Sequence, residues 1–483
     1  MGAFWAAGGT NGLSPKVLSE SEAGPRYPAA MNTGFSRLLG RLGLNRPELR
    51  AWVAYDWANS AMATVIITAI FPIFFLEVAA DGWGDGKGEQ AFSLTTTLAL
   101  ATVAILAPIL GPIADVRGWS KRLLGAFLVV GILSTGGMFF VGYGDARLAL
   151  ILFYLANVGA AGSFVFYDSL LPHVARPDEV DRVSTTGYSA GYLGGGLLLL
   201  LALIWISNPG WFGLPSGESL TPREETLPTR LAFLAVAIWW AVFSLPLFYN
   251  VPEPPPTRTS DEGPGESTLT IAVRRLKKTL GEIRQSPDAL WMMIAFLLYN
   301  DGIQTILRLA TILGAARDFE AKTMIRSILL VQFVGIPFAI LFSKLSARVG
   351  IKRAIFTGIF SYIGIVLAAV YMNSELHFLG LAVGVGMVMG GTQALSRSLF
   401  ATLIPHQKSS EFFALFGVFE KFAGIFGPLL FTLVLGLLPA GRENLAAFSV
   451  LPFFLVGALA FSKVDVKRGR ARARAQELEL SRA

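Results

Sequence analysis

Long apolar stretches recur along the whole chain, and each is long enough to cross a lipid bilayer. A hydrocarbon core about 30 Å thick takes about 20 apolar residues of helix. Stretches of that kind fall at 51–79, 93–114, 121–142, 147–171, 184–206, 229–250, 288–314, 323–346, 352–372, 376–403, 411–437 and 444–462. Within lipid the backbone must satisfy its own hydrogen bonds, and segments of this length do so as helices. The expectation is an all-α membrane protein with twelve transmembrane helices. The charged fraction of 15% agrees, because soluble domains carry roughly 25%.

The sixth and seventh stretches are separated by Val251–Pro287. This segment opens VPEPPPTRTSDEGPGES, a Pro/Gly/Ser-rich polar run that buries no core. In the following TLTIAVRRLKKTLGEIRQ, Leu269, Val273, Leu276, Leu280 and Ile283 recur at helical spacing among Arg274, Arg275, Lys277 and Lys278. That pattern predicts a basic amphipathic helix, lying either on an anionic lipid face or on neighbouring loops. The expected organisation is a partly disordered cytoplasmic segment 1–50, a six-helix bundle 51–250, a linker 251–287, a second six-helix bundle 288–462 and a basic tail 463–483.

With both termini in the cytoplasm, about 29 of the 40 Lys and Arg residues fall on the cytoplasmic side, the positive-inside bias. The net charge of +7 therefore points to anionic membrane lipids as partners rather than nucleic acid. The N-terminus has no basic region before its short apolar run, so no signal peptide is expected. A bacterial inner membrane fits these features best. Cysteine is absent, and His173, His377 and His406 stand far apart in sequence. No disulfide, metal site or cofactor is expected. A nucleotide-binding loop, a zinc-protease pair and a nucleophile elbow are all missing, which argues against an enzyme.

The two bundles repeat each other weakly and in parallel. Leu170-Leu171-Pro172-His173 is matched by Leu403-Ile404-Pro405-His406, and Tyr55-Asp56 by Tyr299-Asn300-Asp301. Two parallel six-helix repeats joined by a long linker resemble the major facilitator architecture. Between the second and third spans, Gly111, Asp115, Arg117, Gly118, Lys121 and Arg122 resemble the signature of that superfamily. In it, glycine permits close helix approach, and an acid and bases form a gate. Trp119 and Ser120 depart from the usual pattern, and the second copy, around Ser343, Ala347, Gly350 and Arg353, lacks the acid.

Four longer words are similar to the vacuole-effluxer (autophagy-related amino-acid permease) family of the superfamily. They are AWVAYDWANSAMATVIITAIFPIFF, FYDSLLPHVARPDEVDRVSTTGYSAGYLGGG, FLLYNDGIQTILRLATILGA and GGTQALSRSLFATLIPHQKSSEFFALFGVFEKFAGIFGPLLF. The resemblance implies a secondary transporter of amino acids, exported from the vacuole in fungal members. A small-molecule substrate is implied, and a monomer is expected.

Polar groups inside apolar spans are costly and face a cavity or a partner. Asp301, Gln304 and Arg308 share one face of the seventh span, with Tyr299 just before them. They read as a binding site or as an internal Asp301–Arg308 brace. Asp56 and Asn59 share a face of the first span beside Tyr55, and Asp168 lies near the end of the fourth. Both acids read as gate residues or as loop contacts. Gln393 and Arg397 lie one turn apart in the tenth span; Glu420 and Lys421 are adjacent in the eleventh. Glu420 either faces the cavity or pairs with Arg397. The cations well inside spans, Arg308, Arg397 and Lys421, fall in the second half, and the first half sets the acids Asp56, Glu77 and Asp168 against them. A zwitterion could thus place its carboxylate on Arg308, Arg397 or Lys421 and its ammonium on the acids. Asp301 or Glu420 could carry a coupled proton. A lipid or lysolipid translocase on the same fold is the alternative.

Overall fold

In the computed structural model, residues 34–84, 87–217, 219–257, 268–315, 321–423, 426–437 and 443–482 are described. Before the linker come α1 (Pro47–Ala79), α2 (Lys87–Arg117), α3 (Ser120–Phe140), α4 (Ala146–Val174), α5 (Val180–Ser207) and α6 (Leu227–Asn250). After it come α7 (Pro287–Ala315), α8 (Ala321–Val349), α9 (Ile351–Ala369), α10 (Glu375–Thr402), α11 (Ser409–Phe422), α12 (Phe426–Leu437) and α13 (Leu445–Ser462). Short connections make successive spans antiparallel. We call the side where α6 ends and α7 begins the linker face. Gly118 turns the chain from α2 into α3 with φ of 62°, and Gly350 does the same between α8 and α9 at 87°. Both sit at matching places in the two signature copies, in a backbone region that only glycine enters freely.

Among the described residues, eleven helices are long and apolar enough to cross a membrane. The expected continuous span 411–437 is instead the pair α11 and α12. The 14 residues of α11 rise about 21 Å, short of the bilayer core, and the described residues of α12 follow beyond Ala423. The break follows from Ala423, whose extended backbone ends α11, and from Asp301, whose carboxylate accepts the Gly427 N–H at 3.1 Å near the start of α12. Large apolar side chains such as Leu133, Phe140 and Ile105, each about two-thirds exposed or more, project from α2 and α3. On a soluble protein they would form a sticky surface; in lipid they are solvated.

Helix α5 is the central strut. It packs against α1 on one side and against α8 and α10 on another. Its run Gly194-Gly195-Gly196 makes this possible, since a Cβ at Gly194 would lie 2.5 Å from the Trp57 carbonyl oxygen. Small residues let helix backbones approach where lipid offers no hydrophobic drive to associate. Helix α11 packs against α2 and α4 in the same way, across the two sets of helices.

The linker helix, Thr268–Gln285, packs on α2 and near α11. Ile271, Ala272 and Ile283 are buried, while Val273, Lys277 and Lys278 are exposed. One face of the helix thus rests on the protein, and the basic residues Lys277 and Lys278 face outward. The tail forms a helix, Val466–Arg482, whose Arg468 pairs with Asp288 of α7 at 2.7 Å.

Gly194→Leu is expected to separate α5 from α1 and to lower the unfolding temperature in detergent, by an overpacking cost of about 1–3 kcal/mol. Gly364→Ala meets no atom within 4 Å and is expected to leave that temperature unchanged or raise it.

Candidate functional site

A cavity of about 1500 Å³ lies between the two sets of helices. It runs from Glu89 and Met372, on the side opposite the linker face, down to Asp56. Ser60, Thr64, Tyr188, Gln304, Gln332 and Gln393 supply polar groups on its wall, and most of the rest is apolar. Asp56 and Glu89 are the charged residues among its described lining. Helix α1 forms one side of the wall where its backbone widens to π-helical pitch over Met62–Ile70 and Phe75–Ala79. Pro72 lies between these stretches and lacks the N–H that regular helix pairing needs. Such widened turns recur at functional sites.

The floor is built around Arg397 of α10. Its guanidinium donates to Asp56 of α1 at 3.1 Å and to Asp168 of α4 at 3.0 Å. It also donates to the Ser184 hydroxyl and carbonyl of α5, at 2.9 and 3.1 Å. Trp52, Tyr167 and Tyr188 surround the guanidinium carbon at 4.8, 5.7 and 4.5 Å from their ring centroids. The Tyr167 hydroxyl donates to Asp56 at 2.8 Å. Arg397 is only 2% exposed, so removing one partner would leave a buried charge uncompensated, at a cost of about 3–5 kcal/mol. Every one of these partners comes from the helices before the linker.

Below this floor, towards the linker face, further contacts cross between the helix sets. Asp181, in the first turn of α5, accepts from Ser346 of α8 and Ser398 of α10, each at 2.7 Å. Asp115, at the end of α2, accepts the N–H groups of Ser410 and Glu411 at 3.2 and 2.8 Å. That places a carboxylate at the positive end of α11. Gly111 permits the approach, since a Cβ there would lie 2.6 Å from the Ser410 carbonyl oxygen. Ser120, a departure from the usual signature, bonds Ser410 through their hydroxyls at 3.0 Å. In turn Glu411 accepts from Arg275 of the linker helix at 3.2 Å and from Thr279. The linker therefore braces the same junction.

The basic residues of the signature have other contacts. Lys121 donates to the carbonyls of Phe248 and Val251, at the end of α6 and within the same set of helices. Trp119 lies between the guanidiniums of Arg117 and Arg122, at 5.9 and 5.8 Å. The acid crosses to the other helix set, and Lys121 anchors α3 to α6.

The residues singled out in sequence fall in different places. Asp56, Asp168, Arg397, Gln304 and Gln393 meet at the floor or on the wall of the cavity. Tyr55 and Asn59 are buried behind Asp56, with Tyr55 stacked on Tyr167 at 4.8 Å. Tyr299 and Asp301 are turned into the second set of helices, where Tyr299 bonds Ser396 at 2.5 Å and Asp301 holds Gly427. Asp301 thus does not line the cavity beside Gln304. Glu420 is half-buried and close enough to Asp168 to repel its charge. The side chains of Arg308 and Lys421 lie outside the described residues. Trp52, Tyr167, Ser184 and Tyr188 went unrecognised, although Tyr167, Ser184 and Tyr188 stand inside the quoted word FYDSLLPHVARPDEVDRVSTTGYSAGYLGGG.

Two sets of antiparallel spans facing one another across a central cavity, with paired charges closing one end, define a major facilitator transporter. The fold agrees with solved structures of that class. A bacterial homologue of the iron transporter ferroportin, in an outward-facing state, superposes with a TM-score of 0.59 and 17% identity, covering 87% of this chain and 99% of the other. The proton:xylose symporter XylE gives 0.62 and 15%, covering 89% and 96%. Residues 88–474 match the family described as vacuole effluxer Atg22 like, and the chain belongs to that family. The MFS-type transporter YxiO of Bacillus subtilis is 32% identical over 410 residues, 84% of this chain and 92% of its own length. Autophagy-related protein 22 of Saccharomyces cerevisiae is 25% identical over 416 residues, 75% of each chain. Proteins of this superfamily are transporters and not enzymes.

The natural absence of cysteine makes one introduced thiol a clean reporter of the closed end. Ser120 is 1% exposed, so the S120C thiol is expected to react slowly with a water-soluble maleimide. Adding Asp115→Ala removes two charge-assisted hydrogen bonds and is expected to speed that reaction by about tenfold or more. Asp145→Asn, in the exposed turn before α4, is expected to leave the rate unchanged.

Proposed function

We propose that this chain moves amino acids, or small zwitterions of similar shape, across a bacterial cell membrane by alternating access. The observation that carries the reading is the ion-paired floor. Arg397 belongs to the helices after the linker, and Asp56 and Asp168 to those before it. Opening at the linker face must break these pairs. A substrate carrying both an ammonium and a carboxylate can replace what is broken. Its carboxylate takes the guanidinium fork, and its ammonium takes the acids. Buried charges then stay paired as the halves rock, which removes the largest penalty from the transition.

The lysine and arginine distribution supports a cytoplasmic linker face, with the cavity then open to the outside. Two carboxylates share one guanidinium at the floor, leaving one formal negative charge over. A proton bound there would neutralise it, so Asp56 and Asp168 suit proton coupling better than Asp301, which is engaged with Gly427. The largely apolar wall and the cavity size favour a lipid-like cargo as the second reading.

The test is exchange in proteoliposomes containing only this protein, loaded with mixed amino acids and offered labelled ones. Selective entry is expected, together with at least a hundredfold loss in Arg397→Gln and Asp56→Asn, from pair energies of about 3–5 kcal/mol. Asp168→Asn is expected to flatten any response to an imposed pH gradient. No amino-acid entry by folded protein, with lysolipid flux instead, would establish the second reading.

A further inference from the structure

The described side chains in contact with Arg397 form a box whose walls belong to the helices before the linker. Trp52 and Asp56 come from α1, Tyr167 and Asp168 from α4, and Ser184 and Tyr188 from α5. Only the occupant comes from elsewhere. When the two sets of helices part at the linker face, Arg397 must leave with α10 and the box must stay behind. We propose that the vacated box is a recognition site for an organic cation bearing N–H donors, an ammonium or a guanidinium. In the present conformation Arg397 is its tethered occupant. The inference rests on the alternating-access reading and names the part of a substrate that this end of the site takes.

Three features of the box specify that chemistry. First, three aromatic rings lie within 6 Å of the guanidinium carbon, and stacked ring faces attract cations. Second, the acceptors are numerous: two carboxylates, a hydroxyl and a backbone carbonyl, all within 3.1 Å of a guanidinium nitrogen. A quaternary ammonium has no N–H to offer them and would leave buried acceptors unpaired. A primary ammonium or a guanidinium satisfies them. Third, the box has a way in. Asp56 and Tyr188 also line the large cavity, so a cation arriving there meets two of the box walls before Arg397 has moved.

The sequence repeat sharpens the point. Tyr299-Asn300-Asp301 echoes Tyr55-Asp56, yet its acid is occupied by the Gly427 N–H. Asp56 instead faces a removable guanidinium. The described contact of Asp56 with Arg397 crosses between the helix sets, whereas that of Asp301 with Gly427 stays within one.

The experiment empties the box and refills it. Purified Arg397→Ala in detergent, shown to be folded by gel filtration, is titrated with methylguanidinium, methylammonium and tetramethylammonium at matched ionic strength. Binding is read by calorimetry and by thermal unfolding. Methylguanidinium or methylammonium is expected to bind and to raise the unfolding temperature. Tetramethylammonium is expected to bind at least tenfold more weakly, and the wild-type protein, in which Arg397 competes for the box, to need at least tenfold more methylguanidinium for the same response. Adding Asp56→Asn is expected to abolish the effect. Folded Arg397→Ala that binds no cation, or binds tetramethylammonium equally well, would overturn the proposal.

A second variant covers the case in which Arg397→Ala does not fold. Ser184→Cys is a small change in a chain with no other cysteine. Its thiol is expected to react faster with an aminoethyl methanethiosulfonate than with the neutral methyl reagent, and methylguanidinium is expected to protect it. Equal rates without protection would overturn the box. Amino-acid exchange with no cation binding would reject the box alone. Cation binding with no exchange would reject the transport reading and leave the box standing.

Discussion

One guanidinium shared by two buried carboxylates holds this molecule in its present shape. Arg397 reaches out of α10 into a socket made by α1, α4 and α5, and the contacts below it depend on the helices it draws together. A buried ion pair contributes little to folding stability compared with a well-packed apolar core. On the alternating-access reading its value is conditional, because opening at the linker face would break the pair. A few kcal/mol made in one conformation and lost in the other is enough to set which one dominates.

The remaining contacts distribute the same task. Asp181 ties α5 to α8 and α10, Asp115 caps α11, and Glu411 passes the connection to Arg275 on the linker helix. All are hydrogen bonds to charged groups in confined places, where each is stronger than in water. They alternate with a close helix approach at Gly111, against Ser410, that tolerates no side chain. Such an interface is bistable: once its helices separate by a few ångströms, these contacts fail together.

Much of this was legible in the sequence, and the rest was hidden for definite reasons. Segment length and hydropathy gave the spans, because a bilayer imposes one length on every crossing. The exception was 411–437, where apolar content alone cannot register a break between two helices. Asp56, Asp168 and Arg397 stood out as charges in apolar surroundings. Their mutual pairing was invisible, since it joins positions 341 and 229 residues apart in the chain. Asp301 stood out by the same rule, and one group it holds is the Gly427 backbone N–H, which no residue pattern reveals. The aromatic walls of the box were overlooked because tyrosine and tryptophan are ordinary in membrane spans. Likewise His173 and His406, remote in sequence, face each other with ring centroids 6.2 Å apart, a consequence of the repeat itself.

The central claim is that Arg397 keeps the linker face closed, and a distance across that face tests it most directly. Spin labels placed by Arg176→Cys and Arg348→Cys, both at exposed positions on that face, report the separation of the two helix sets by double electron–electron resonance. The account predicts a dominant short distance in otherwise wild-type protein and a shift to a longer, majority distance when Arg397→Gln is added. Superimposable distance distributions for the two proteins would contradict it.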